Sequence, residues 1–431
     1  MRYAPIDNKL FIQNREKLKK QLKPNSVAIF FANDLMPKSA DAFHAFNQNP
    51  DIFWLTGVDQ EETMLLMFPD APNADWREIL FVRETNETIA IWEGAKLTKA
   101  QATEVSGIKK VVWAQDFEKL LPVIVNQAEN IYLHLNEHDR YVSPADYTDF
   151  RQVRKIREQF PLHKYERLAP IMHRLRAVKS DIEVELIKNA CGITKKGFER
   201  VLKFVKPGVM EYEIEAELTH EFLRNRSRGH AYEPIVASGP NACVLHYIAN
   251  DQPCKDGDVI LLDFGAEYAN YASDLTRSIP VNGRFTKRQR QVYDAVLRVM
   301  KAAKKMLRPG NTLMSYHEAV GHIMEKELVD LGLITSRDIT NQDPTWPAYK
   351  KYFMHGTSHF LGLNVHDVGN RYLPMQEGMV FTCEPGIYIP EEGLGIRLEN
   401  DVLITHEGVI DLMANIPLEA EEIEDIMNSK S

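Results

Sequence analysis

Cysteine is scarce in this chain of 431 residues: Cys191, Cys243, Cys254 and Cys383 lie far apart and form no CxxC pair. That excludes a disulfide framework and argues against a thiolate zinc site. No stretch approaches the ~18 apolar residues that cross a bilayer. The opening MRYAPIDNKLFIQNREKLKKQL has no apolar centre of the kind a secretory signal needs. A reducing cytoplasm is the expected setting. Positive charge is not in excess either, since 52 Lys and Arg face 61 Asp and Glu for a net charge of −9. Neither nucleic acid nor an anionic membrane is therefore expected as a partner. An HExxH zinc motif is missing too: His355 and His359 have the i,i+4 spacing, but no glutamate follows His355, and Gly356 and Gly362 argue against a regular helix.

What is present fits an ordinary globular protein, with 44% apolar and 26% charged residues. The length suits two domains. In the first, Ser26–Phe31, Met64–Phe68, Glu78–Val82 and Thr88–Trp92 read as strands, and Thr98–Val105 and Asp116–Asn126 as helices. Such alternation predicts an α/β domain with a mixed sheet. The boundary falls in the Arg- and Lys-rich segment 151–177, giving domains 1–172 and 173–431. The second domain opens on a helix whose start, Ser180-Asp-Ile-Glu183, has the capping-box pattern. It also repeats itself. FERVLKFVKPGVMEYEIEAEL (198–218) and VMKAAKKMLRPGNTLMSYHEAV (299–320) are each a helix, a basic-Pro-Gly turn and a second helix. Strand pairs bearing acidic residues follow both copies, which predicts a duplicated, pseudo-twofold domain with its site where the halves meet.

Asp263 ends the strand-like run VILLDF, and Asp274 begins the next, in YASDLTRSIPV. Ten residues separate them, and an even count puts both on one face of a bulge-free hairpin, with the turn centred on Tyr268-Ala269. Glu384 and Glu399 repeat the arrangement with fourteen residues between them and a turn at Glu391-Glu392-Gly393. Carboxylates set in apolar strands must be paired, protonated or metal-bound, unless they simply point outward from half-exposed strands. Matching parity in two hairpins favours the buried reading. His359, in the histidine- and glycine-rich HGTSHFLGLNVHDVG, adds an imidazole. Four carboxylates around one divalent ion leave two negative charges unbalanced; two ions balance them, and Arg397 can offset a bridging hydroxide. Oxygen-rich ligands with one imidazole suit manganese, with cobalt, iron or zinc as substitutes, and suit calcium poorly.

The order Asp263, Asp274, His359, Glu384, Glu399, together with HGTSHFLGLNVHDVG, EPGIYI and GIRLEND, resembles the pita-bread metallopeptidases and their proline-specific branch. SADAFHAFNQNPDIFWLTGVDQEETMLL (39–66) and IWEGAKLT (91–98) are similar to the N-terminal domain of aminopeptidase P. The resemblance implies an α/β N-terminal domain of the creatinase kind and an α+β pita-bread catalytic domain. It implies hydrolysis of the Xaa-Pro bond at the N-terminus of peptides through a metal-bridging hydroxide. Prolidase, restricted to Xaa-Pro dipeptides, is the alternative, and a non-catalytic pita-bread binding protein a distant one. By the same resemblance Asp263 and Asp274 hold one ion, His359 and Glu384 the other, and Asp274 and Glu399 bridge. Glu384 also assists as base, His246 polarises the scissile carbonyl, and His366 helps proton movement. His355, Tyr388 and Arg397 line the proline pocket. A homodimer or homotetramer formed through the N-terminal domain is expected, with Trp92 a candidate to line a neighbour's cleft.

Overall fold

The computed structural model describes residues 2–429 apart from 139, 141, 142 and 144. The chain divides into two compact units, Ala4–Arg176 and Ala177–Ser431, the latter joined by Met1–Tyr3.

In the 4–176 unit, buried apolar runs form a six-stranded mixed sheet. Its spatial order is Lys110–Trp113, Glu78–Val82, Met64–Met67, Ser26–Phe31, Asn130–Leu133, Lys164–Arg167. Ser26–Phe31 runs antiparallel to Met64–Met67 and parallel to Asn130–Leu133. Every residue of Ser26–Phe31 is buried, as expected of a central strand covered on both faces. Val27, Ile29 and Phe31 pack there with Phe81, Phe117, Leu121 and Ile124. One expected strand is a helix instead: Thr88–Trp92 lies within Glu87–Glu93. The Asn86 side chain accepts from the Ile89 amide, Gly94 ends the segment, and no residue of it is buried. Local capping decided the conformation because no sheet neighbour competed for Ile91 and Trp92.

This unit also buries a charged knot. Arg176 Nη1 lies 2.6 Å from Asp51 Oδ1, and Asp51 Oδ2 lies 3.1 Å from His134 Nδ1. Asp149, 4% exposed, sits 3.8 Å from His134 Nε2 and accepts from the Asn49 amide at 3.4 Å. Its Oδ1 has no hydrogen-bond partner among the described residues. Burial pushes the Asp149 carboxyl up to about 7.

In the second unit the repeat is plain. Helices Asp181–Phe204 and Glu211–Arg224 flank Lys206-Pro207-Gly208, and Lys287–Met306 and Leu313–Asp330 flank Arg308-Pro309-Gly310. Each pair precedes a three-stranded antiparallel sheet: Ile235–Ser238, Val259–Phe264 and Leu275–Pro280 in the first half, Val380–Cys383, Asn400–Thr405 and Gly408–Asp411 in the second. The long helices are amphipathic; Val292, Val296, Val299, Met300 and Ala303 are among the buried positions of Lys287–Met306. Together these elements form the pita-bread fold expected for this half of the chain, and the unit that precedes it in sequence is α/β as expected. Among the described residues no helix is long and apolar enough to cross a membrane.

Candidate metal centre

The first hairpin pairs Asp263 with Thr276 and Phe264 with Leu275, and the same register runs on through Glu267↔Ala272 and Tyr268↔Tyr271. The turn is Ala269-Asn270, both with positive φ (54° and 67°), as a two-residue primed turn requires. It lies one residue beyond the expected Tyr268-Ala269. Moving a turn by one residue changes the pairing by two, so the facing of side chains is kept while the opposition is not. Asp263 and Asp274 are diagonal neighbours on one face. Gly265, the residue opposite Asp274 in this register, has no room for a side chain: a Cβ there would lie 1.7 Å from the Ser273 carbonyl oxygen.

In the second hairpin Gly386↔Arg397 and Cys383↔Asn400 share one register, which sets Glu384 directly opposite Glu399 between the two ladders. Pro390–Glu392 and a left-handed Gly393 close it. The halves then interlock: the Glu399 amide donates to Thr276 O at 3.0 Å, and the Thr276 hydroxyl to Glu399 Oε2 at 2.6 Å.

Ligand atoms of Asp274, His359 and Glu399 all lie within 4.8 Å of one another. His359 Nε2 is 3.4 Å from Asp274 Oδ2 and 3.5 Å from Glu384 Oε1. Its Nδ1 sits 2.9 Å from Phe360 O, so Nδ1–H donates to that carbonyl and Nε2 is turned to the acids. A cation that displaced the Nε2 proton would find the ring already oriented as a ligand. Arg397, 4% exposed, pairs with Asp263 through Nη2, donates to the Tyr388 hydroxyl at 2.7 Å, and reaches Thr276 Oγ1 with Nε at 3.1 Å.

The acids are held under electrostatic stress. Burial, reinforced by the neighbouring carboxylates, pushes Glu384 up to about 7 and Glu399 well above the usual range. Asp263 is raised by burial too, against the pull of Arg397. Burial opposes a charge on His359, yet Asp274 and Glu384 draw its imidazole up to about 9. Such a cluster attracts positive charge, and four carboxylates with one correctly oriented imidazole fit divalent cations.

Other expected residues take varied places. His366 is half-buried with its ring centroid 4.2 Å from that of His359. His246 is exposed on the 239–252 segment and its side chain makes no hydrogen bond among the described residues. The ends of that segment are tied to buried Glu211, which accepts from the Ser238 and Gln252 amides at 2.8 and 3.0 Å. Burial lowers His355 to about 3, and both its nitrogens are engaged, Nδ1 with Gly356 O and Nε2 with the Tyr388 hydroxyl, each at 2.8 Å. Tyr388 is fully buried, and its hydroxyl meets His355 Nε2 at 2.8 Å and Arg397 Nη1 at 2.7 Å. Its ring packs in the core while its hydroxyl joins the other two side chains.

Several neighbours of the centre were not anticipated. The Tyr232 hydroxyl lies 2.6 Å from Asp263 Oδ1 and 2.5 Å from Asp274 Oδ1. Thr382 donates to Glu384 Oε1 and accepts from the His359 amide, both at 3.1 Å. The Asp274 amide donates to the buried carboxylate of Asp401 at 3.0 Å. Thr276 and Thr382 stand two residues from a ligand on the same strand face, a period-two signal present in the sequence. Nothing comparable marks Tyr232.

Comparison with known proteins agrees with this geometry. Residues 185–406 match the model of metallopeptidase family M24, and residues 11–132 match the N-terminal domain of aminopeptidase P. The Xaa-Pro aminopeptidase of Escherichia coli (strain K12) is 34% identical over 98% of both chains. Xaa-Pro aminopeptidase 3 of Homo sapiens is 30% identical over 100% of this chain and 86% of its own. Solved structures agree: the low-pH form of E. coli aminopeptidase P superposes with a TM-score of 0.89 at 33% identity, covering 98% of this chain and 99% of that one. A zinc-substituted E. coli enzyme in complex with product gives 0.88, with the same identity and coverage. With its acids paired across two hairpins and its imidazole turned toward them, the chain belongs to metallopeptidase family M24.

Proposed function

We propose that this protein is a metal-dependent aminopeptidase that cleaves the bond between an N-terminal residue and a following proline. The observation that carries the reading is the gathering of Asp274, Glu384 and Glu399 around His359, with Asp263 joined to Asp274 through the Tyr232 hydroxyl, in a chain similar along its whole length to Xaa-Pro aminopeptidases. Divalent cations, when bound, make a water a strong nucleophile at neutral pH and polarise the carbonyl it attacks. Asp263, Asp274, His359, Glu384 and Glu399 are the residues proposed to hold two of them. Manganese is the first choice for a site of four carboxylates and one imidazole; cobalt, zinc and iron suit it as substitutes.

The chain's own groups do the rest. Glu384, 3.5 Å from His359 Nε2, is proposed to take a proton from the attacking water and pass it on. His246 is proposed to donate to the developing oxyanion. His366, beside His359, is proposed to help protonate the proline nitrogen, which must gain a proton to leave. His355 presents an uncharged ring to a proline side chain that has no amide hydrogen to satisfy. Arg397 holds Asp263 and the Tyr388 hydroxyl in place. We also place the protein in the cytoplasm, since all four cysteines are free thiols. We expect it to associate as a dimer or tetramer; Trp92 is 84% exposed in the 4–176 unit.

Offering an Xaa-Pro dipeptide and an Xaa-Pro-Yaa tripeptide side by side tests the specificity. Turnover of the tripeptide is expected, lost on chelation and restored by manganese. Turnover of the dipeptide alone would assign the chain to prolidase, and activity indifferent to chelation would overturn the metal mechanism.

A further inference from the structure

Lys179 and Asp367 form an ion pair sealed from solvent: Nζ and Oδ2 are 2.9 Å apart and each side chain is 1% exposed. Full burial of a charged pair is uncommon, and such a pair contributes less to stability than well-packed apolar side chains of the same volume. What it does impose is one geometry, because either charge left alone in a dry site is costly. Its surroundings are built to admit it. A Cβ on Gly362 would lie 2.2 Å from Asp367 Oδ2 and 2.9 Å from Lys179 Nζ, so the pair occupies the space of a missing side chain.

The pair joins two segments that are each pinned by backbone hydrogen bonds. On one side, the Lys179 amide donates to Gly378 O at 2.8 Å, and Val178 bridges Met379 just before the Asp181–Phe204 helix. On the other, the Asp367 amide donates to Phe360 O at 2.9 Å, and Gly362 O accepts from the Ala272 amide at 2.8 Å. Between those anchors lies His366, next in sequence to Asp367, its ring tilted 49° to that of His359 with the centroids 4.2 Å apart. The mechanism proposed above uses neither Lys179 nor Asp367.

We propose that the Lys179–Asp367 ion pair is a positioning device for His366, fixing the backbone of the 362–367 turn and so the direction of that imidazole toward the substrate. Neither residue touches substrate; both act through His366. An apolar pair in the same space would fill it without setting an orientation, whereas the charged pair ties Asp367, and the residue before it, to the rigid start of a long helix. The inference rests on the proposed function only in giving His366 a part in proton transfer.

A double-mutant cycle tests it, with kcat and KM for an Xaa-Pro-Yaa tripeptide measured on metal-loaded enzyme and bound metal assayed in parallel. Asp367→Asn is expected to lower kcat about 10- to 100-fold, with KM within about threefold and metal content unchanged. In a His366→Ala background the same substitution should cost no more than about twofold further. Losses that multiply in the double variant, or wild-type kcat in Asp367→Asn, would overturn the proposal. Lys179→Met attacks the same pair from the helix side and gives the same cycle if Asp367→Asn does not accumulate folded. Wild-type kcat in His366→Ala alone would remove both the proposal and that histidine's role, while leaving Xaa-Pro cleavage intact; a wild-type chain inert toward the tripeptide would be a failure of the function itself.

Discussion

One hydroxyl serves two carboxylates: Tyr232 Oη lies 2.6 Å from an oxygen of Asp263 and 2.5 Å from an oxygen of Asp274. A phenol has a single proton, so it braces one acid at a time and holds the two at a fixed spacing. Burial among these acids also pushes the phenol well above its ordinary range, so it stays a donor. Tyr232→Phe removes the brace and keeps the ring. Metal affinity is expected to fall about 10- to 100-fold, as for other residues that orient ligands. Titration of the metal-free protein with manganese measures this, and an unchanged dissociation constant would show that the brace is dispensable.

The two threonines hold one glutamate from each strand of the second hairpin. Thr276 donates to Glu399 and Thr382 to Glu384. Replacing either by valine keeps the shape and deletes a hydrogen bond to a charged group, worth about 1.5–3 kcal/mol. Both hydroxyls also accept, Thr276 from the charged Arg397 Nε and Thr382 from the neutral His359 amide, and Thr276 holds its carboxylate more closely, at 2.6 against 3.1 Å, so Thr276→Val should be the more damaging. The comparison is made by kcat/KM at saturating metal; a larger loss in Thr382→Val would contradict the geometry.

Gly265 lies hard against the facing strand of the first hairpin. Alanine there would place a methyl 1.7 Å from a backbone oxygen, and backbone cannot swing aside as a side chain can. Gly265→Ala is expected to cost more than about 2 kcal/mol and to spread Asp263 from Asp274. Urea unfolding of the metal-free protein reads the first effect, manganese titration the second. Wild-type values in both would refute the close approach.

Asp149 gives a pH dependence away from the catalytic unit. Its carboxyl is raised to about 7 by burial, so between its unfolded value near 4 and that level the folded state binds the proton more tightly. Stability contributed by this group therefore declines as pH rises through that window and is flat above it. Asp149→Asn removes the penalty. It should leave stability near wild type at pH 4 and raise it at pH 8, by at most about 4 kcal/mol. Denaturant midpoints at the two pH values decide; an equal difference at both would dismiss the titration.

Much of the site could be read from strand parity, because side-chain facing depends only on whether the separation is odd or even. That logic survived the misplaced turn at Ala269-Asn270, which moved the pairing by two residues. It could not say that Asp263 opposes Thr276, since turn position depends on which residues accept positive φ. In the 4–176 unit, Thr88–Trp92 carries β-favouring side chains and still forms a helix, because burial, which sequence composition does not fix, is what rewards a strand. Tyr232 and the Lys179–Asp367 pair were invisible for another reason. Each depends on contacts between residues far apart in the chain, and neither obeys a local period.

The interlocking of the two hairpins has a consequence for the life of the molecule. Asp263 and Asp274 come from one half and Glu384 and Glu399 from the other, so a cation shared among them, as proposed, would act as a removable crosslink. Loading and cohesion rise together, since whatever binds only the folded protein stabilises it by mass action. In a cell short of the metal, empty copies would open more often than filled ones and be destroyed first. The surviving pool would then track metal supply without any dedicated sensor.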